Sequence, residues 1–300
     1  MSERSGTVSD PQTGRTIAYA EWGDPTGTTV MFFHGNPGDR SFPHLELWGR
    51  ELGIRFVCPE RPGFGESPFQ KRRRILDWPA DVTRIADHLG VHRFGVAGVS
   101  AGGPYALACA HSLPERVAHA SSISGVMPPG APRGTEGMRR EARMSVAIAR
   151  RAWPLLVLMT RPLGAAVRKN PDRFFDRSLR SMPEPDRMVA SRDDVRAWFV
   201  DRARQTGGPG SKGSAYELSI QTKSWGFAFE DIAAPVSIWH GAEDSLVPLH
   251  AAEWGASKIP SAVLHVVEGA GHLLLFDRWR DIFEPMATPP EGTKSEVSNG

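Results

Sequence analysis

The stretch FGVAGVSAGGPYALACA, residues 94–110, constrains the fold more than any other part of the chain. An apolar run suited to a buried strand meets a serine set among glycines and turns at once into an alanine-rich helical pattern. A turn this sharp leaves no room for side chains beside the serine, and Gly98 and Gly102 supply that room. Ser100 is then held out from the carboxyl end of a sheet. The helix that follows aims its first amides at the same place, so the N–H of Ala101 can donate to a developing oxyanion. In a chain with 31 glycines the G-x-S-x-G spacing alone is weak, and its position at a strand-to-helix junction makes it informative.

The surrounding chain predicts what that strand belongs to. Apolar runs at 29–35, 55–60, 93–100 and 117–125 read as strands buried on both faces, and the segments 43–52, 77–89 and 102–112 between them read as helices. Asp77 is a candidate cap for the second helix, with Pro79 in its first turn, where a missing N–H costs little. The alternation resumes with strands at 235–241 and 262–269 and helices at 249–258 and 273–285. Such alternation implies an α/β fold with a mostly parallel central sheet flanked by helices.

The gap between the two halves has a different composition. Residues 127–226 hold 19 Lys or Arg against 10 Asp or Glu, a balance of +9, whereas the rest of the chain, 17 against 24, stands at −7. This segment contains helical stretches at 137–152 and 193–204 and no good buried strand. It is expected to be an inserted helical cap on a discontinuous core formed by 1–126 and 227–300, with a frayed polar tail from about Thr288. Its basic excess fits either a solvated face or a bias toward anionic substrates.

Other features narrow the function classes. A net charge of +2 gives no argument for nucleic acid or membrane as partner, and 40% hydrophobic residues is ordinary globular composition. No metal spacing appears among the ten histidines, and no cofactor is expected. Cys58 and Cys109 lie in apolar segments and read as buried thiols. The amino terminus lacks an apolar signal core, which makes a cytoplasmic protein the expectation.

A serine hydroxyl needs a base, and the base needs an orienting acid. WHGAEDSLVP follows the strand at 235–241 and places Asp244 on a loop at its carboxyl end, with Glu243 as its rival. EGAGH follows the next strand and places His272 in a similar loop. Ligands of open α/β sheets bind at that edge, so the three side chains can converge. No carboxylate ends the strand at 117–125.

With GVSAG, HGNPG (34–38), RPGFGES (61–67), GAEDSLVP and GAGH in this order, the chain resembles an α/β-hydrolase-fold enzyme. The resemblance implies a Ser100–Asp244–His272 triad. It also implies an oxyanion hole from the backbone N–H groups of Asn36 and Ala101, with His34 and Arg61 to Gly65 as structural support. A serine at the elbow argues against epoxide and halide chemistry, which in that family uses an aspartate. Hydrolysis of a carboxylic ester, thioester or lactone through an acyl-enzyme is the expected activity, on a small molecule with an apolar acyl part. Aminopeptidase action on an amino-terminal proline, carbon–carbon bond hydrolysis and a receptor-like binding role are the alternatives. Ala101 follows the nucleophile where the proline-specific branch usually carries tryptophan. Trp153, Met159 and Trp198 are candidate lining residues of an apolar pocket in the cap, alongside Leu155, Leu156 and Phe199, with packing of the cap's own core as the favoured alternative.

Overall fold

The computed structural model describes residues 4–42, 44–206 and 212–288. The strands are β1 (Arg4–Ser9), β2 (Thr16–Gly23), β3 (Thr28–Phe33), β4 (Ile54–Pro59), β5 (Phe94–Val99), β6 (Val117–Ile123), β7 (Val236–Gly241) and β8 (Ala262–Val267). They form one sheet in the order β1-β2-β4-β3-β5-β6-β7-β8. β2 pairs antiparallel with β1 and β4, and every pairing from β4 to β8 is parallel. β5 lies in the middle, where the order reverses direction, and its carboxyl end is therefore the place a crevice opens.

Helices cover both faces. On one side lie α1 (His44–Leu52) and α10 (Leu275–Ala287); on the other lie α2 (Trp78–His88), α3 (Gly103–Ser112) and α9 (Leu249–Lys258). Each face has its own apolar core. Phe32, Phe56, Trp48 and Phe283 fill one, and Val96, Leu107, Ile85 and Ile238 fill the other. Cys58 and Cys109 are buried free thiols, one in each core.

Between β6 and β7 the chain forms α4 (Arg140–Lys169), α5 (Pro171–Leu179), α6 (Glu184–Ala190), α7 (Asp193–Thr206) and α8 (Lys212–Gln221), with no strand among the described residues. The helix expected to end at 152 instead continues after a kink: Ala152 has non-helical φ −156° and ψ 62°, and Pro154 follows in the next turn. α8 packs differently from the rest of this segment, since Tyr216 and Ile220 belong to the same apolar core as α2 and α3.

Two other expectations need correction. The hairpin β1–β2 was not foreseen, and its polar alternation suits an edge rather than a buried strand. Asp77 does not cap α2 with its side chain. A 3-10 turn over Ile75–Asp77 runs directly into the helix and its carbonyl at Ile75 takes the Trp78 N–H, while the Asp77 carboxylate accepts from the Arg74 amide at 2.8 Å. The tail from 289 onward lies outside the described residues. No described helix is long and apolar enough to cross a membrane.

Candidate functional site

β5 delivers the chain to Ser100, whose φ is +55°, in the left-handed region that L-residues other than glycine rarely adopt. Local backbone strain of this kind costs about 1–3 kcal/mol and is retained where the surroundings fix it. Two glycines make the corner passable. A Cβ on Gly98 would lie 2.2 Å from the Gly102 carbonyl oxygen, and one on Gly102 would lie 2.2 Å from that of Phe33. The Ser100 carbonyl is held by the Val126 amide at 3.1 Å. The 34–38 loop runs alongside the hydroxyl: a Cβ on Gly35 would sit 4.0 Å from Ser100 Oγ.

Asp244 and His272 come from the loops after β7 and β8. Asp244 Oδ1 accepts the amides of Leu246 and Val247 at 2.8 and 2.9 Å, which fixes the carboxylate. Its Oδ2 stands 2.7 Å from His272 Nδ1. With Nδ1 as donor, the lone pair of the imidazole resides on Nε2. The loops approach closely because residue 241 is glycine; a Cβ there would lie 2.3 Å from the Gly271 carbonyl oxygen. Glu243 is exposed. Burial works against the imidazolium, but the Asp244 carboxylate outweighs it and holds His272 above its ordinary value. Burial likewise works against the Asp244 carboxylate, yet His272, His240 and the Val247 amide keep that carboxyl below its usual range.

A second carboxylate near the ring comes from the inserted helices. Asp186 on α6 is buried and accepts the Leu273 amide at 2.8 Å, one residue past His272. A Cβ on Gly271 would lie 2.4 Å from Asp186 Oδ1, so the glycine of GAGH makes room for it. Asp186 adds to the upward shift of His272, whereas Arg139 opposes it. Nothing in the sequence marked Asp186 out from the other nine acids of its basic segment.

Behind Asn36 and Ala101 lies a buried polar network. The Asn36 side chain and Ser214 on α8 are paired twice: Asn36 Nδ2 donates to the Ser214 carbonyl at 3.0 Å and Ser214 Oγ donates to Asn36 Oδ1 at 2.6 Å. Arg61, with 0% of its side chain exposed, donates to the carbonyls of His34 and Gly35 at 2.6 and 3.0 Å. Its Nε lies 3.2 Å from Glu217 Oε1. Glu217 also pairs with Arg73 and accepts from Tyr105 Oη and Gln221 Nε2, each at 3.1 Å. Gln221 Nε2 donates in turn to the Ala101 carbonyl at 2.8 Å. Glu217 thus connects, through Arg61 and Gln221, to both backbone segments that border Ser100. His34 Nδ1 donates to Gly35 O at 2.8 Å and Nε2 accepts the Arg61 amide at 3.4 Å. Burial and the Arg61 charge push this imidazole well below its ordinary value, so it is a neutral loop support. Sequence reasoning missed Glu217 and Gln221. The only available signal was a single charge within the otherwise uncharged run SAYELSIQ.

Ser100 borders two cavities. One, of about 360 Å³, is shared with His272 and walled by Phe42, Phe175, Trp198, Phe199 and Phe276. The other, of about 780 Å³, lies between α4, α8 and the sheet edge and includes Asn36, Ala101 and Leu156. Trp198 therefore stands where a lining residue was expected. Trp153 and Met159 border neither cavity. Trp153 packs on Phe69 and Tyr216, and Met159 is 55% exposed. Leu155 is exposed as well. Among the described residues no group of three metal-ligating side chains is assembled.

Comparison with known proteins adds the following. The family model of the alpha/beta hydrolase fold matches residues 28–278. An uncharacterised hydrolase of Bacillus subtilis is 26% identical over 266 residues, 87% of this chain and 89% of that protein. A proline iminopeptidase of Neisseria gonorrhoeae is 33% identical over 104 residues, 34% of each chain. Among solved structures, a thermophilic esterase from Thermogutta terrifontis superposes with a TM-score of 0.63 at 20% identity, covering 96% of this chain and 100% of that one, a likeness of fold alone.

Proposed function

The chain belongs to the alpha/beta hydrolase fold family, and from that premise we propose that it is a serine hydrolase cleaving a carboxylic ester, thioester or lactone through an acyl-enzyme on Ser100. The observation that carries the reading is the 2.7 Å contact of His272 Nδ1 with Asp244, on a ring that shares a cavity with Ser100 at its strained corner. His272 Nε2 takes the Ser100 proton as Oγ bonds to the substrate carbonyl carbon. Asp244 fixes the tautomer and stabilises the imidazolium. The resulting oxyanion sits between the N–H groups of Asn36 and Ala101, each such donor contributing about 3 kcal/mol to the transition state. The carbon–heteroatom bond then breaks, and the leaving group receives the proton from Nε2. Water, deprotonated by the same nitrogen, attacks the ester on Ser100 and releases the acid. Helices α4 to α7 act as a cap, and the aromatic cavity holds an apolar part of the substrate.

The test uses a fluorophosphonate probe and p-nitrophenyl esters of graded acyl length, read by intact mass and by turnover. Labelling and turnover are expected in the parent protein and lost in Ser100→Ala. Turnover retained in the variant overturns the mechanism. Stoichiometric ligand binding without turnover, unaffected by the substitution, would make the protein a receptor on this fold.

A further inference from the structure

The larger cavity has an unbalanced charge. Its lining contains two arginines, Arg139 and Arg150, and no aspartate or glutamate. Several buried or half-buried arginines are matched by carboxylates: Arg61 and Arg73 by Glu217, Arg202 by Asp39, Arg15 by Asp81 and Arg55 by Glu21. Arg139 has no such partner among the described residues. Its backbone N–H is held by the Ser245 carbonyl at 2.9 Å, and its Nη1 donates to the Ser181 carbonyl at 2.8 Å. Its Nε is buried without a hydrogen-bond partner. The bonded nitrogen is one terminal donor, and no carboxylate among the described residues neutralises the guanidinium charge. A guanidinium carries its N–H donors in parallel pairs, a geometry that fits a planar carboxylate. Arg139 also lines the aromatic cavity, and it shares both walls with Ser100, Asn36 and Leu246.

We propose that Arg139 binds a carboxylate of the substrate in the larger cavity, so that the substrates are esters whose part on that side of Ser100 is acidic, such as half-esters of dicarboxylic acids. The proposal builds on the reading of Ser100 as nucleophile. A half-buried guanidinium without a counter-charge gains from an anionic ligand beside it, whereas a neutral ligand of the same shape brings no such gain. Arg150, exposed at the outer side of the same cavity, adds attraction for an anion on entry. The missing acid also leaves this cavity without a partner for a substrate amine.

The test is calorimetric titration of the full-length Ser100→Ala protein with monomethyl adipate and with dimethyl adipate. The half-ester is expected to bind at least roughly tenfold more tightly. In the Arg139→Met, Ser100→Ala protein the ratio should fall to near one, and Arg139→Lys, which keeps the charge without the planar fork of donors, should give an intermediate ratio. A ratio near one in the parent, or a ratio unchanged by Arg139→Met, overturns the proposal. Fluorophosphonate labelling of the protein carrying Ser100 reports separately on the nucleophile. Absent labelling with an intact binding ratio would refute the acyl-enzyme and keep the carboxylate site.

Discussion

Substituting Glu217 by glutamine tests the idea that one buried charge organises the site. The exchange keeps the side-chain volume and an acceptor oxygen but leaves Arg61 and Arg73, both almost fully buried, without a counter-charge. A pair of unit charges about 4 Å apart at an effective dielectric near 20 attracts by roughly 4 kcal/mol, most of it offset by desolvation in the intact protein. Removing one member of a buried pair forfeits the attraction and keeps the desolvation, and typically costs about 3–5 kcal/mol. For 300 residues the unfolding entropy is on the order of 0.6 kcal/mol per degree, so Tm should fall by about 5–8 °C. The function should suffer too, because Arg61 holds the His34 and Gly35 carbonyls and Gln221 holds that of Ala101. A misplaced oxyanion donor appears in kcat more than in KM, and a loss of about tenfold or more is expected. The assay is differential scanning calorimetry together with p-nitrophenyl butyrate kinetics. A Tm lowered by less than about 2 °C with kcat unchanged refutes the reasoning.

Asp186→Asn keeps an oxygen for the Leu273 amide but removes a charge that raises His272. Since His272 must be neutral to act as base, the acid limb of the kcat/KM profile should move to lower pH; a limb that stays in place would show that the Asp186 charge does not reach the ring. The same shift has a stability counterpart. The folded value of His272 lies above the ordinary 6.5, so its protonation stabilises the fold fully below that pH, and this contribution disappears as pH rises through the folded value. Ser100→Ala removes the hydroxyl and leaves the Asp244–His272 pair in place, and its denaturation midpoints in a pH series should still show this loss. Gly102→Ala places a methyl 2.2 Å from the Phe33 carbonyl oxygen, a backbone atom that cannot step aside. It should cut soluble yield and Tm well below those of Gly103→Ala, whose Cβ meets its nearest atoms at 2.8 Å; equal behaviour of the two would argue that the corner is looser than described.

The parts of the fold that were legible in the sequence are those where a local pattern had only one physical use. β5 and α3 could be read because a strand buried on both faces and a small-residue helix leave distinct periodicities on either side of Ser100. Asp244 could be placed on its loop, although its choice over Glu243 required the fold, which buries one carboxylate against His272 and exposes the other. Asp186, Glu217 and Gln221 were not legible because their roles depend on approach across long separations in sequence, 144 residues for Glu217 and Arg73. Trp153 and Met159 reach neither cavity, because apolar composition marked the segment without telling which of its side chains face inward: Trp153 packs on Tyr216 and Met159 is exposed.

The position of α8 has a consequence for how this molecule can vary. By composition it belongs to the basic segment between β6 and β7, but through Tyr216, Glu217, Ser214 and Gln221 it is a structural member of the core. The boundary at which pieces can be exchanged therefore lies ahead of Lys212 rather than after Gly226. A chimera that replaces the segment as a whole would remove the support of the elbow and the 34–38 loop together, whereas one that replaces α4 to α7 and retains α8 would change what enters the cavities and keep that support, losing only Asp186 from beside His272.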